Sequence, residues 1–182
     1  GATGPQGPAG EDGGQQTETA FEQGQNLPGI HVAVTSLSGG TGPGGRFVPG
    51  NTITIHFTVQ KDDDSTWDVT EIGSGRALVS GPTYNYQRVI AQVADVSTLA
   101  VKQADGSYTY TFATPIPATY LAPFNDSAQF DDTDGELTGQ ALLDGTYTLG
   151  LYFRWDYTLD GVAKRDSGDV VHDFVIGTTG AV

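Results

Sequence analysis

The residues best suited to chemistry form an acidic cluster near position 130. The stretch "NDSAQFDDTDGEL" holds five carboxylates, and hard oxygen ligands of this kind suit Ca²⁺. The register of an EF-hand loop fails, because counting Gly135 as its sixth position puts Phe130 first and Ala141 twelfth. The sequence therefore predicts a solvated acidic turn or a surface calcium site, whose candidate ligands are Asp131, Asp132, Asp134 and Glu136.

Three histidines are the next candidates, and none stands in a catalytic pattern. A Ser-His-Asp triad needs an imidazole within reach of a nucleophile, and the chain has no Gly-x-Ser-x-Gly elbow. His31 begins one strand pattern and His56 lies on the polar face of another, so both are predicted to be exposed. His172 shares a face with apolar residues and is predicted to be half-buried. We expect no catalytic residues and no enzyme activity.

Aromatic side chains supply a third kind of candidate, because exposed rings on a β-domain can hold a sugar ring. Most of the aromatic residues considered stand at alternating strand positions, which indicates core packing instead. The residues considered are Trp67, Tyr84, Tyr86, Tyr120 and Trp155, and most of them are predicted to belong to the core.

Composition limits the possible partners. The 182 residues carry 8 Lys and Arg against 22 Asp and Glu, a net charge of -14, which disfavours binding to nucleic acid or to an anionic membrane. No run of 18 apolar residues is present, so no membrane span is predicted. The chain has no Cys, which excludes disulfides, thiolate metal sites, a lipidated Cys and a c-type haem within these residues. We expect the targeting information to lie elsewhere.

The start of the chain differs from the rest. Residues 1–14, "GATGPQGPAGEDGG", place Gly at every third position through Gly13, the collagen pattern. They are predicted to form an extended spacer, or the end of a triple-helical stalk that would make the protein a trimer. Residues 15–29 are predicted to be a polar linker, residues 30–177 a β-domain and residues 178–182 an exit segment.

Period-two alternation then dominates, as is typical of half-buried strands. It occurs in "IHVAVTSL", "NTITIHFTVQ", "GSYTYTFA", "GTYTLGLYFRW" and "DVVHDFVIG", while "GRALVSG" and "YNYQRVIAQV" are weaker strand candidates. Turn clusters separate these stretches, and no segment has a convincing amphipathic helix pattern. Seven or eight short strands predict an all-β fold, either a Greek-key β-sandwich or a split β-barrel, with an extended N-terminal lead.

The order of these elements resembles the N-terminal domain of outer-surface multihaem c-type cytochromes of the OmcA/MtrC type. The similarity lies in a Gly/Pro-rich lead followed by "GIHVAVTSL", "NTITIHFTVQKDD", "LVSGPTYNY", "DGSYTYTFATPIP", "LDGTYTLGLYF" and "RDSGDVVHDFVIG". It covers about residues 28–177. In that family a lipoprotein signal and a low-complexity linker precede a haem-free Greek-key, split-barrel domain, which leads into a haem-bearing domain.

The resemblance implies a haem-free scaffold or docking domain in extracellular electron transfer, at the outer-membrane surface. Its partner would be a haem-bearing cytochrome domain or chain, since the family's Cys-x-x-Cys-His sites have no counterpart here. Two alternatives remain open at this point. One is a collagen-stalked surface or filament-forming protein that acts in adhesion or as an appendage. The other is a carbohydrate-binding accessory module.

Overall fold

The computed structural model describes residues 18–122 and 135–179. They contain nine strands, one helical turn and one 3-10 turn at Pro43–Gly45. The elements are β1 (Ala20–Phe21), β2 (His31–Ser38), β3 (Thr54–Gln60), β4 (Ser74–Ser80), β5 (Arg88–Val93), α1 (Val96–Leu99), β6 (Val101–Lys102), β7 (Tyr108–Thr111), β8 (Gly145–Leu159) and β9 (Val162–Ile176).

The strands form two sheets, which confirms the predicted all-β fold. One sheet has the order β1-β8-β4-β5, with β9 pairing along β8, and the other has the order β2-β3-β7-β6. All pairs are antiparallel except that of β1 with β8. None of the helices in the described part of the chain is long and apolar enough to cross a membrane.

The alternating stretches bury the faces that the sequence predicts. In and beside β3, the Ile, Phe and Val side chains are fully buried, while the threonines between them stay on the outer face. β8 places a longer row of large side chains on its inner face. The confirmed inward residues are Ile53, Ile55, Phe57, Val59, Tyr108, Tyr110, Phe112, Tyr147, Leu149, Leu151, Phe153 and Trp155.

The core lies between the two sheets and is rich in aromatic contacts. The ring of Phe57 in β3 lies 5.8 Å from that of Phe153 in β8 and 5.7 Å from that of Tyr108 in β7. Trp67, which follows β3, lies 5.4 Å from Trp155. Large rings from both sheets therefore meet in one continuous core, which fixes the position of β8.

The β8–β9 hairpin is the longest element of the fold. Its 15-residue strands pair over their whole length, from Gly145 opposite Ile176 to Leu159 opposite Val162. The connecting Asp160 and Gly161 have φ of 52° and 74°, as a two-residue turn with left-handed residues requires. The hairpin thus joins two distant ends of the domain, with its turn at one end and the last residue of β9 at the other.

Two regions differ from the sequence-based interpretation. The prediction that most of the aromatic residues considered belong to the core is confirmed for Trp67, Tyr120 and Trp155, which are buried. Tyr84 and Tyr86 are the exceptions: they lie in a turn before β5, with 74% and 58% of their surface exposed. Within the segment assigned to the polar linker, Ala20 and Phe21 form β1. Residues 1–14, with the predicted collagen-like spacer or trimer, lie outside the described residues.

Candidate functional site

The segment before the β-domain is fastened to the turn end of the β8–β9 hairpin. The amide of Thr158 donates to the carbonyl of Thr19 at 2.8 Å, and that of Asp160 donates to the carbonyl of Phe21 at 2.9 Å. The carboxylate of Asp160 in turn accepts from the amide of Gln23 at 3.0 Å. These bonds add β1 to β8 as a short parallel strand.

A buried aromatic side chain anchors this added strand. Phe21 is 8% exposed, and its ring lies edge-on to Trp155 at 5.9 Å and to Tyr157 at 6.0 Å. Burying a Phe side chain contributes about 2–3 kcal/mol. The buried ring therefore adds to the two backbone hydrogen bonds and the Asp160 side-chain bond a contribution comparable to theirs.

An open cleft of about 430 Å³ lies between β1 and the hairpin turn. Three carboxylates line it, those of Glu18, Glu22 and Asp160. Their charges disfavour an anionic ligand in this cleft.

The opposite end of the hairpin is fastened by a second group of contacts, which we call the exit clamp and define as Arg46, Asp144, Thr178 and Thr179. One carboxylate oxygen of Asp144 accepts three hydrogen bonds, from the Thr178 amide at 3.2 Å, the Thr179 amide at 2.9 Å and the Thr179 hydroxyl at 2.6 Å. The Arg46 guanidinium donates to the carbonyl of Thr179. The chain is therefore tied to the domain for three residues beyond the last residue of β9.

A backbone bridge supports the exit clamp from the other side. The amide of Phe47 donates to the carbonyl of Val175 at 3.0 Å, and the amide of Gly177 donates to the carbonyl of Phe47 at 2.9 Å. The Phe47 ring is buried and lies edge-on to Phe174 at 5.3 Å. The end of β9 is thus held between residue 47 on one side and the start of β8 on the other.

The hydrogen bonds of the exit clamp lower the pKa of Asp144. The largest cause is the hydroxyl of Thr179, followed by its amide, and the Arg46 charge acts in the same direction. All three favour the ionised carboxylate. Because the pKa in the folded state lies below the ordinary value of 3.8, the clamp contributes stability above that pH. This contribution is lost as the pH falls through the lowered pKa.

Replacing Asp144 with Ala is expected to release the exit segment without unfolding the domain. Amide hydrogen exchange should become faster at Thr178 and Thr179, while that of the β8–β9 hairpin stays slow. In the unmodified chain the two amide chemical shifts should titrate with a midpoint below pH 3.8.

Asp105→Ala is the matched control for this experiment. Asp105 is an exposed aspartate whose pKa is lowered by the same kind of bonds, here to the hydroxyl and amide of Ser107. Its loss should affect the amide of Ser107 only. Unchanged exchange at Thr178 and Thr179 in Asp144→Ala would show that the clamp does not hold this segment.

The predicted histidines lie apart from one another and have local partners. The His31 imidazole is 65% exposed and lies 2.6 Å from a carboxylate oxygen of Asp62. His56 lies 2.9 Å from the hydroxyl of Ser38 across β2 and β3, but within the described residues no carboxylate hydrogen-bonds to it to complete a triad. His172 is half-buried, as predicted.

The predicted calcium ligands are only partly within the described residues. Asp131, Asp132 and Asp134 lie outside them, so the calcium site stays a prediction. Glu136 is exposed, and its carboxylate accepts a hydrogen bond from the side-chain amide of Asn85 at 3.1 Å. Among residues 18–122 and 135–179, no group of three or more His, Asp or Glu side chains could hold a metal ion.

Comparison with known proteins gives one weak similarity. No protein-family model matches the chain, and no curated protein matches it at a significant level. A solved structure, the crystal structure of MtrC from Shewanella baltica OS185, matches with a TM-score of 0.40 and 12% sequence identity. The match covers 85% of this chain and 24% of that one, so the chain spans about a quarter of the matched protein. A likeness of this size does not by itself assign a function.

Proposed function

We propose that the chain is a haem-free scaffold and docking domain of a cell-surface multihaem cytochrome that takes part in extracellular electron transfer. The order of its sequence elements, from the Gly/Pro-rich lead to "RDSGDVVHDFVIG", supports this assignment. In this proposal the chain performs no catalysis. Electrons pass through a haem-bearing continuation or partner chain, because without Cys these residues cannot attach a c-type haem.

The fastening of residues 19–23 and of residues 177–179 to opposite ends of the β8–β9 hairpin is the observation that supports the scaffold role. The lead is attached beside Thr158 and Leu159, and the exit clamp lies beside Gly145, at the other end of β8. Some 13 residues of strand separate these points, which corresponds to at most about 45 Å. The strand between these points, β8, is paired with β9 along its whole length and with β4 along part of it. Such a strand is suited to hold a haem-bearing part at a set distance from the N-terminal lead.

The fixed exit supports the docking role. The exit clamp holds the backbone of Thr178 and Thr179 against the body of the domain. A segment held in this way sets the direction in which a further domain would leave, whereas a freely rotating exit would not. In the proposed arrangement the domain therefore orients the haem-bearing part as well as spacing it.

Sequencing the locus around this segment tests the proposal. Upstream of Gly1 the gene is expected to encode a signal peptide with a lipidated Cys, and downstream of Val182 it should encode Cys-x-x-Cys-His motifs. A reading frame that lacks haem motifs and has no neighbouring cytochrome gene would contradict it. The collagen-stalked surface protein would then be the better interpretation.

A further inference from the structure

A turn before β5 presents two aromatic side chains to solvent. We call residues 81–87 the tyrosine loop. Its Tyr84 and Tyr86 are 74% and 58% exposed, although the other six tyrosines of the described chain are all buried or half-buried. Rings of this size stabilise a fold when they are buried, and these two rings, being exposed, contribute little of that stabilisation.

The backbone of Tyr86 is unfavourable for its residue type. Its φ is 52°, in the left-handed region, where a bulky residue is an outlier and costs about 1–2 kcal/mol relative to Gly. Because the side chain is mostly exposed, core packing does not offset this cost. A strained backbone under an exposed aromatic ring indicates that the ring has a use outside the fold.

Hydrogen bonds hold the tyrosine loop in one conformation. The amides of Asn85 and Tyr86 both donate to the carbonyl of Pro82, at 2.8 and 2.7 Å, and that of Thr83 donates to the carbonyl of Thr146 at 2.9 Å. The Asn85 side chain donates to Glu136 at 3.1 Å. The backbone that carries the two rings is therefore held in place, so little backbone entropy would be lost when they bind a ligand.

The tyrosine loop and the Glu136 side chain bonded to it carry polar groups. Asn85 keeps its side-chain carbonyl for a further hydrogen bond, and the exposed Glu136 carboxylate accepts such bonds as well. Behind the loop, the hydroxyls of Tyr120 and Tyr147 lie 2.6 Å apart, and Tyr147 donates to the carbonyl of Leu143 at 2.7 Å. The loop thus combines two ring faces with hydrogen-bond acceptors.

We propose that the tyrosine loop binds a neutral saccharide, with the rings of Tyr84 and Tyr86 stacked on sugar C–H faces and the side chains of Asn85 and Glu136 accepting from sugar hydroxyls. Aromatic ring faces are negative and attract the positive C–H groups. This binding goes beyond the scaffold role and does not depend on it.

Size and charge favour this ligand over other classes. A fully covered tyrosine side chain buries about 150–250 Å², so these two, 74% and 58% exposed, offer at most about 200–330 Å² of contact surface, which suits a short saccharide. A stable protein interface needs about 800 Å² from each partner. The net charge of -14 disfavours anionic polysaccharides, so the proposed ligand is a neutral one.

Affinity gel electrophoresis of the full chain tests the proposal, with dextran, hydroxyethyl cellulose or galactomannan in the gel and alginate as the anionic comparison. We expect retardation by at least one neutral polymer and none by alginate. Tyr84→Ala and Tyr86→Gly should each weaken binding about tenfold or more, while Tyr84→Phe, which keeps the ring, should retain most of it.

Two controls separate binding from folding. Tyr86→Gly relieves the left-handed backbone, so its melting temperature should equal or exceed that of the unmodified chain. Tyr152→Ala removes a half-buried tyrosine of β8 that bonds to Gln92 and should leave retardation unchanged. The proposal is overturned if no neutral polymer retards the chain, if the Tyr84 and Tyr86 variants bind as before, or if Tyr86→Gly unfolds it.

Discussion

Replacing Phe57 with Ala is expected to lower the free energy of unfolding by about 3–5 kcal/mol. The side chain is fully buried between the sheets, with Tyr108 and Phe153 on either side at 5.7 and 5.8 Å. Rings of that size cannot collapse into the space left behind without disturbing both sheets, so the cavity cost adds to the lost burial. Leu151→Ala, which truncates the matching inner face of β8, should cost about 2–5 kcal/mol.

Thr54→Ala is the control for the face assignment, and urea denaturation is the measurement. Thr54 lies in β3 on the outer face, where its hydroxyl hydrogen-bonds that of Thr111 at 2.8 Å. Loss of this solvent-accessible hydrogen bond should lower the free energy of unfolding by no more than about 1 kcal/mol. Equal losses at Thr54 and Phe57 would mean that the wrong face of β3 has been assigned to the core.

Gly168→Ala adds a single methyl group, yet it is expected to lower the free energy of unfolding by about 1–3 kcal/mol or more. A Cβ on Gly168 would lie 2.3 Å from the carbonyl oxygen of Ile30 and 2.8 Å from a methyl carbon of its side chain. The obstructing oxygen belongs to the backbone, so no side-chain rotation relieves the clash. β9 would have to move away from the start of β2, which opens the seam between the sheets.

Gly150→Ala is the control that separates two causes of this loss. It shows whether the clash with Ile30 destabilises the protein, or whether replacing any glycine within the hairpin strands does so. Gly150 lies in β8 of the same hairpin, and its added Cβ would make ordinary contacts with Leu78, the nearest at 3.4 Å. Ala in a strand interior is favoured over Gly by about 0.5–1 kcal/mol, so this variant should be as stable as the unmodified chain or slightly more stable. A thermal melt that ranks Gly150→Ala below Gly168→Ala would refute the close approach of β9 to Ile30.

Alternation was sufficient to predict the strands that build the core. In β3 and β8 every second residue is large and apolar, and a strand with that pattern can bury only one face. The predicted inward residues of both strands are buried, from Ile53 to Val59 and from Tyr147 to Trp155. The Asp160–Gly161 turn obeys a similarly local rule, because few residue pairs tolerate two left-handed conformations in succession.

The alternating pattern gave a wrong strand prediction at the start of the stretch "YNYQRV". Tyr84, Tyr86 and Arg88 are spaced as in a strand, yet β5 begins only at Arg88. The preceding turn, in which the Pro82 carbonyl accepts from Asn85 and Tyr86, determines the local backbone. Local hydrogen bonds therefore override a weak periodic signal that spans only two residues.

The exit clamp and β1 could not be read from the sequence for a different reason. Asp144 and Thr179 are 35 residues apart and meet only because β8 and β9 pair along their full length. β1 has two residues, too few to show a period, and its position depends on Phe21 reaching Trp155. Polar clamps and short added strands depend on tertiary contacts, which sequence patterns do not encode.

Haem measurement on the native polypeptide tests the scaffold assignment most directly. An antibody raised against this domain would capture the protein from its source cells, and its absorbance spectrum would then be recorded. We expect a Soret band that co-purifies with the captured polypeptide or with a chain firmly bound to it. A captured polypeptide with no Soret band, alone or in complex, would contradict the assignment to an electron-transfer cytochrome.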